Sequence, residues 1–157
     1  MANSEKAIKV YNQFKENLLN AEFHIEEHPD DLVISLTVHG DDLPQPTLIR
    51  VMDDRDVVQV LSPLPSKIPE DKRIDAALAV CVANNGLING SFDYDINDGE
   101  ISYRLTQSYR DLELSQECIT YMLGTVFFTT DKYNDRFFML GKGMMTLEQF
   151  LEKENGN

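Results

Sequence analysis

The sequence predicts an α+β domain, an antiparallel sheet (a meander plus a hairpin) with helices packed on one face. Three observations carry that prediction. The stretch from Ser91 to Thr106 sets Phe92, Tyr94 and Ile96 against Ser91, Asp93 and Asp95, then Ile101, Tyr103 and Leu105 against Ser102, Arg104 and Thr106. Period-2 alternation on both sides of Asn97-Asp98-Gly99 is a strong hairpin signal. A two-stranded ribbon is only marginally stable alone, so its apolar aromatic face needs a cover. The second observation is a pair of helical patterns flanking the ribbon, before residue 88 and after residue 114, which can provide it. The third is a run of short alternating segments between residues 23 and 61, which reads as consecutive antiparallel strands.

In chain order, Ala7, Val10, Tyr11, Phe14 and Leu18 fall on one helical face. Asn3 or Ser4 caps the first turn, and the helix ends near Asn20. Phe23 and Ile25 alternate with His24 and Glu26 as a first strand, and Pro29-Asp30-Asp31 turns the chain. Leu32, Ile34, Leu36 and Val38 form one face of the next strand. Residues 40–44 break it. Thr47 to Met52 is a third strand, Asp53 to Asp56 a turn, and Val57 to Leu61 a fourth strand. Val57, Val58 and Val60 break strict alternation, which suggests cover on both faces.

Pro69 at a first helical position opens the second helix, with Ile74, Ala77, Leu78, Cys81, Val82 and Asn85 as its continuing face and Gly86 as its C-cap. After the hairpin, Ser115 caps a third helix with Leu114 and Ile119 as a staple. Its inward stripe is Ile119, Met122, Leu123, Val126 and Phe127, extending through Thr130, Tyr133, Phe137 and Leu140. Gly141 and Gly143 end it. Thr146 to Gln149 forms a capping box for a short last helix running to about Lys153, followed by a frayed tail at 155–157. The element order is α-β-β-β-β-α-β-β-α-α in a single domain over 1–157.

The 157 residues, 42% hydrophobic, suit one core. The net charge of -13 repels nucleic-acid phosphates and anionic lipid headgroups, so neither nucleic acid nor membrane is an expected partner. It suits a basic segment of another protein. Cys81 and Cys118 read as small buried hydrophobes rather than a disulfide or zinc framework. No stretch has the length of a membrane span or the form of a signal peptide, which points to a cytoplasmic setting.

Two motifs match by spelling. His24-Ile25-Glu26-Glu27-His28 fits H-x-x-E-H, which needs both histidines one helical turn apart. Here the local period is 2, and residues four apart on a strand lie roughly 13 Å from each other. Asp93-x-Asp95-x-Asn97-Asp98-Gly99 opens like a calcium loop, but an EF-hand needs Gly in the sixth place and Glu in the twelfth, where Asp98 and Arg104 stand. No nucleophile elbow, phosphate loop or C-x-x-C is present, so no catalytic, cofactor or metal residue is nominated. The carboxyl region holds more large apolar residues than one stripe buries. Phe128, Tyr133, Phe137, Phe138, Met139, Met144 and Met145 are therefore the candidate partner or dimer surface, against the plainer reading of a wide core stripe covered by the last helix.

The order helix, meander, helix, hairpin, long helix resembles the YbjN-like family of bacterial regulators, itself similar in fold to the type III secretion chaperones. The resemblance rests on residues 88–95 (Ile-Asn-Gly-Ser-Phe-Asp-Tyr-Asp), on 99–104 (Gly-Glu-Ile-Ser-Tyr-Arg), and on Val57-Val58-Gln59-Val60 leading to Pro69 and an alanine-rich helix. It spans about Lys6 to Leu151. It implies a non-enzymatic, dimeric module without a cofactor. Its expected partner is a protein or peptide segment, basic or amphipathic, docked at a sheet edge or on the carboxyl-terminal aromatics. A small-molecule or metal-sensing domain with a pocket between sheet and helices is the alternative.

Overall fold

The structure is a computed structural model, and it describes residues 2–156. Helix α1 spans Glu5–Asn20, and Ser4 caps it by accepting the Ala7 amide on its side chain. The five predicted inward residues of α1 are the ones buried. Strands β1 (Glu26–His28), β2 (Val33–His39), β3 (Pro44–Met52) and β4 (Val57–Pro63) follow as a meander. Helix α2 (Arg73–Asn85), the hairpin strands β5 (Ser91–Asp95) and β6 (Glu100–Ser108), α3 (Gln116–Gly141) and α4 (Leu147–Asn155) complete the predicted order. The last tail position, Asn157, lies outside the described residues.

All six strands form one antiparallel sheet in the order β1-β2-β3-β4-β6-β5. Register puts Ile34, Ile49, Val60 and Leu105 in one row across four strands, and all four are at most 1% exposed. That row is the floor of the core, and α1 and α3 lie over it. A one-residue slip would turn the whole row to solvent, so the floor also fixes register.

Four local expectations are corrected. The first strand is three residues long and lies beyond Phe23, because Phe23 instead packs on Phe127 of α3 at 5.5 Å between rings. Strand β3 starts at Pro44, three residues early. Its two prolines sit where β3 pairs with β2 alone, since β4 joins only from Leu48 onward, so no ladder bond on that side needs their missing N–H. Strand β4 alternates strictly: Val58, Val60 and Ser62 are fully buried, and the outward set is half-buried. Pro69 caps a 3-10 turn at Glu70–Lys72 rather than occupying a first helical position.

Polar side chains tie the sheet to the helices at two places. Strand β5 is an edge, and the Asn84 side chain of α2 closes it at Phe92. Its Nδ2 donates to the Phe92 carbonyl at 3.0 Å, and its Oδ1 accepts the Phe92 amide at 2.7 Å. Replacing Asn84 with Ala strands both groups, and urea denaturation is expected to show a loss of about 1–3 kcal/mol. In the β3–β4 turn, at the middle of the sheet order, Asp53 accepts both the Ser4 hydroxyl (2.6 Å) and the Ser4 amide (2.7 Å). Those bonds hold its carboxyl below the usual 3.8. A depressed folded value contributes stability above the unfolded value, and that contribution is lost as pH falls through the folded one. The unfolding midpoint therefore drops as the buffer is taken below about pH 4, and Asp53→Asn flattens that drop in a thermal melt series.

Candidate functional site

The seven predicted surface residues divide between core and surface. Tyr133, Phe137 and Met145 are at most 7% exposed. Phe138 and Met139 are half-buried. Phe128 and Met144 stand 73% and 68% exposed, at separate places on the molecule. The core members have a clear task. Phe92 of β5 meets Tyr103, Tyr133 and Phe137 at 5.2–5.3 Å, edge to face, and Phe137 meets Phe150 of α4 at 5.3 Å. These rings pack between the β5–β6 hairpin and helices α3 and α4. Burial, and the bond to Glu154 at 2.7 Å, push the Tyr133 hydroxyl pKa up. Glu154 also pairs with Arg136 at 2.6 Å, with both side chains largely buried, which ties α4 to α3.

Part of the exposed apolar surface lies on α2, where sequence reading placed a buried face. Ile74 is 66% exposed and Leu78 51%, and Cys81 and Asn85 also face solvent. At 3.6 residues per turn these four share roughly 60° of arc. The buried residues of α2 are instead Ala76, Ala79, Val80 and Ala83. Small side chains inside let α2 lie close to β5 and α4, and the larger aliphatics are left outside. Cys118 is only half-buried, so neither cysteine is a core residue as expected.

The surface continues past the end of α2. Ile88 is fully exposed on the loop between α2 and β5. The Tyr103 hydroxyl donates to the Asn89 carbonyl at 2.6 Å and holds this loop down. Gly90 (φ +71) permits that approach, because a Cβ there would lie 2.2 Å from the hydroxyl oxygen. Between this loop and α3 runs a groove of about 270 Å³ lined by Ile88, Tyr121, Thr125 and Phe128. Tyr121, 56% exposed, and Ile88 were both missed from sequence. The signal for Tyr121 was its spacing of seven residues from Phe128 on the outer face of α3.

A second feature lies at the opposite edge of the sheet. Strand β1 pairs only with Val33, Ile34 and Ser35, so Leu36–His39 of β2 pair on one side alone. Beside them Ile25, Thr37, Pro46, Leu48 and Pro63 line an outer concavity of about 430 Å³. The two motif histidines lie at this edge: His28 is in β1 and His24 precedes it, so they do not share a helix turn.

The arrangement has solved counterparts. YbjN from E. coli, described as a candidate transcription regulator, superposes with TM-score 0.59 at 10% identity, over 80% of this chain and 91% of its own. A chain of the HopA1–SchA chaperone–effector complex gives 0.60 at 9% identity, over 84% and 98%. A chain of the ExsC–ExsE complex gives 0.55 at 11% identity, over 81% and 92%. The fold is YbjN-like and secretion-chaperone-like. No protein-family model matches the sequence, and no curated protein does either. Among the described residues no helix is long and apolar enough to cross a membrane.

The division between core and surface aromatics is open to direct measurement. Phe137→Ala is expected to cost about 3–5 kcal/mol in chemical denaturation, as large core truncations do. Phe128→Ala is expected to stay within about 0.5 kcal/mol, as surface changes do.

Proposed function

We propose that this chain is a protein-binding module of chaperone-like or regulatory type that works as a homodimer, with α2 of each copy covering α2 of the other. The observation that carries the reading is the inversion of α2, which buries alanines and leaves Ile74 and Leu78 in water. A contiguous exposed apolar stripe marks an interaction surface. The stripe from Ile74 through Leu78 and Cys81 to Asn85 carries no charged residue, on a chain whose net charge is -13. A second copy can therefore meet it there without opposing carboxylates, and a two-fold pairing of one patch with itself is the commonest way a chain self-associates.

The partner bound by the dimer is a protein segment. Two features support this: the one-sided edge of β2 over an apolar concavity suits an extended segment, and two of the structural counterparts were solved in complexes, one of them of a chaperone with its effector. Binding rather than turnover follows in this proposal from surfaces that offer apolar area and open backbone. A soluble cytoplasmic setting is part of the same proposal.

Leu78→Asp tests it. The side chain is half exposed and outside the core, so the variant should keep its circular dichroism and unfolding midpoint. Sedimentation at low micromolar concentration should give a mass near twice 17.9 kDa for the natural chain and near 17.9 kDa for the variant. A natural chain that stays monomeric at every concentration contradicts the dimer.

A further inference from the structure

The outer face of α3 carries residues that the core does not explain. Tyr121, Gly124, Phe128 and Lys132 fall within roughly 80° of arc on that helix. Tyr121, Gly124 and Phe128 are exposed. Glycine inside a helix is less stable than alanine. A Cβ at Gly124 would meet nothing within 4 Å. No neighbour in this chain therefore requires a glycine there, and the space above it is open, between two exposed rings.

Three observations say what covers this face. The groove between it and the α2–β5 loop is lined by a single charged residue, Lys132, on a chain whose net charge is -13. The groove also continues the α2 stripe, which ends at Asn85, while residues 86–89 form the groove wall. Finally, four stripe side chains are too few for the roughly 800 Å² per partner that a stable interface buries. A dimer through α2 needs an extension, and the groove lies where the stripe stops. Two antiparallel copies of α2, meeting on a two-fold axis between Leu78 and Cys81, set Leu78 against Cys81 and Ile74 against Asn85. The chain just before Ile74 is the turn Glu70–Lys72, whose Glu70 and Asp71 are exposed. This pairing carries that turn of the second copy past Asn85 and over the groove wall.

We propose that the groove seats residues 70–74 of a second copy, with Glu70 and Asp71 on Lys132, Ile74 beside Ile88 and Phe128, and Gly124 left bare for the close approach. The proposal rests on the α2 pairing above and names the segment of the second copy that completes it. Two-fold symmetry repeats the contact at both ends of the helix pair. The acidic turn meets the one cation of the groove, so the contact gives the pairing its antiparallel direction as well as added area.

The dimer dissociation constant, from sedimentation over a concentration series at physiological salt, tests this. Glu70→Gln with Asp71→Asn removes two negative charges from an acidic chain. A general field then predicts a tighter dimer, because self-repulsion falls; the groove contact predicts one roughly tenfold weaker. Lys132→Gln weakens the natural dimer roughly tenfold as well, but costs less than about twofold once Glu70 and Asp71 are neutralised, since the two changes remove the same contact. Gly124→Ala is read twice. In dilute solution it raises the unfolding midpoint, as alanine does on an exposed helix. In the concentration series it weakens the dimer roughly tenfold by filling the gap. Tightening by the Glu70 and Asp71 changes overturns the proposal. So does a dimer that Leu78→Asp breaks while every groove variant stays within about twofold of the natural chain; that result leaves the α2 pairing standing. A natural chain that is monomeric at every concentration removes both.

Discussion

The Phe92 ring is the contact on which the helical layer depends. It leaves the edge strand β5 and meets Tyr103 from the neighbouring strand and Tyr133 and Phe137 from α3. Phe137 passes the contact on to Phe150 of α4. The predicted hairpin needed a cover for its aromatic face, and α3 supplies it with rings packed edge to face. Because Tyr133 also donates to Glu154, which in turn holds Arg136, the same cluster anchors α4. Several aromatics that looked in excess from sequence are therefore consumed inside.

What the core does not consume becomes the surface. With α4 and β5 both close to α2, only small residues fit on its inner side, and Ala76, Ala79 and Ala83 occupy it. The large aliphatics of α2 are then outward by exclusion. The polar locks around it are specific: Asn84 closes the β5 edge at Phe92, and the Tyr94 hydroxyl donates to the Arg73 carbonyl at 2.9 Å. These bonds fix which face of α2 looks out. At the other edge the sheet is left half-paired, so the molecule presents an apolar face on α2 and an open strand edge at β2, far apart in sheet order.

The sheet, the hairpin and α1 were legible in the sequence because each has one apolar face and one polar face, and the period alone assigns them. In α1 the predicted stripe and the buried residues coincide. In α3 most of the inward stripe was legible, including Thr130 and Leu140, but Phe127 is only half-buried, and Thr129 and Asn134 are buried without having been read. Helix α2 has two apolar faces. Ile74, Leu78 and Cys81 compete with Ala76, Val80 and Ala83 at the same helical spacing, and reading by side-chain size picks the larger set. Tertiary closeness decided for the smaller one, and nothing local in the sequence encodes how near α4 will lie. Pro44 was read as ending a strand rather than opening β3 for a related reason, since one-sided pairing is a property of the assembled sheet. The bond from the Asp41 amide to Asp131 was invisible because it joins a loop to a helix 90 residues away.

The claim that α2 is inverted for a second copy is tested most directly by the reactivity of Cys81 toward a thiol reagent as a function of protein concentration, with half-buried Cys118 as the internal reference. The account predicts rapid Cys81 reaction in dilute solution and increasing protection as concentration rises, with Cys118 unchanged. Rapid reaction of Cys81 at every concentration would contradict it, for the stripe would then remain open to solvent.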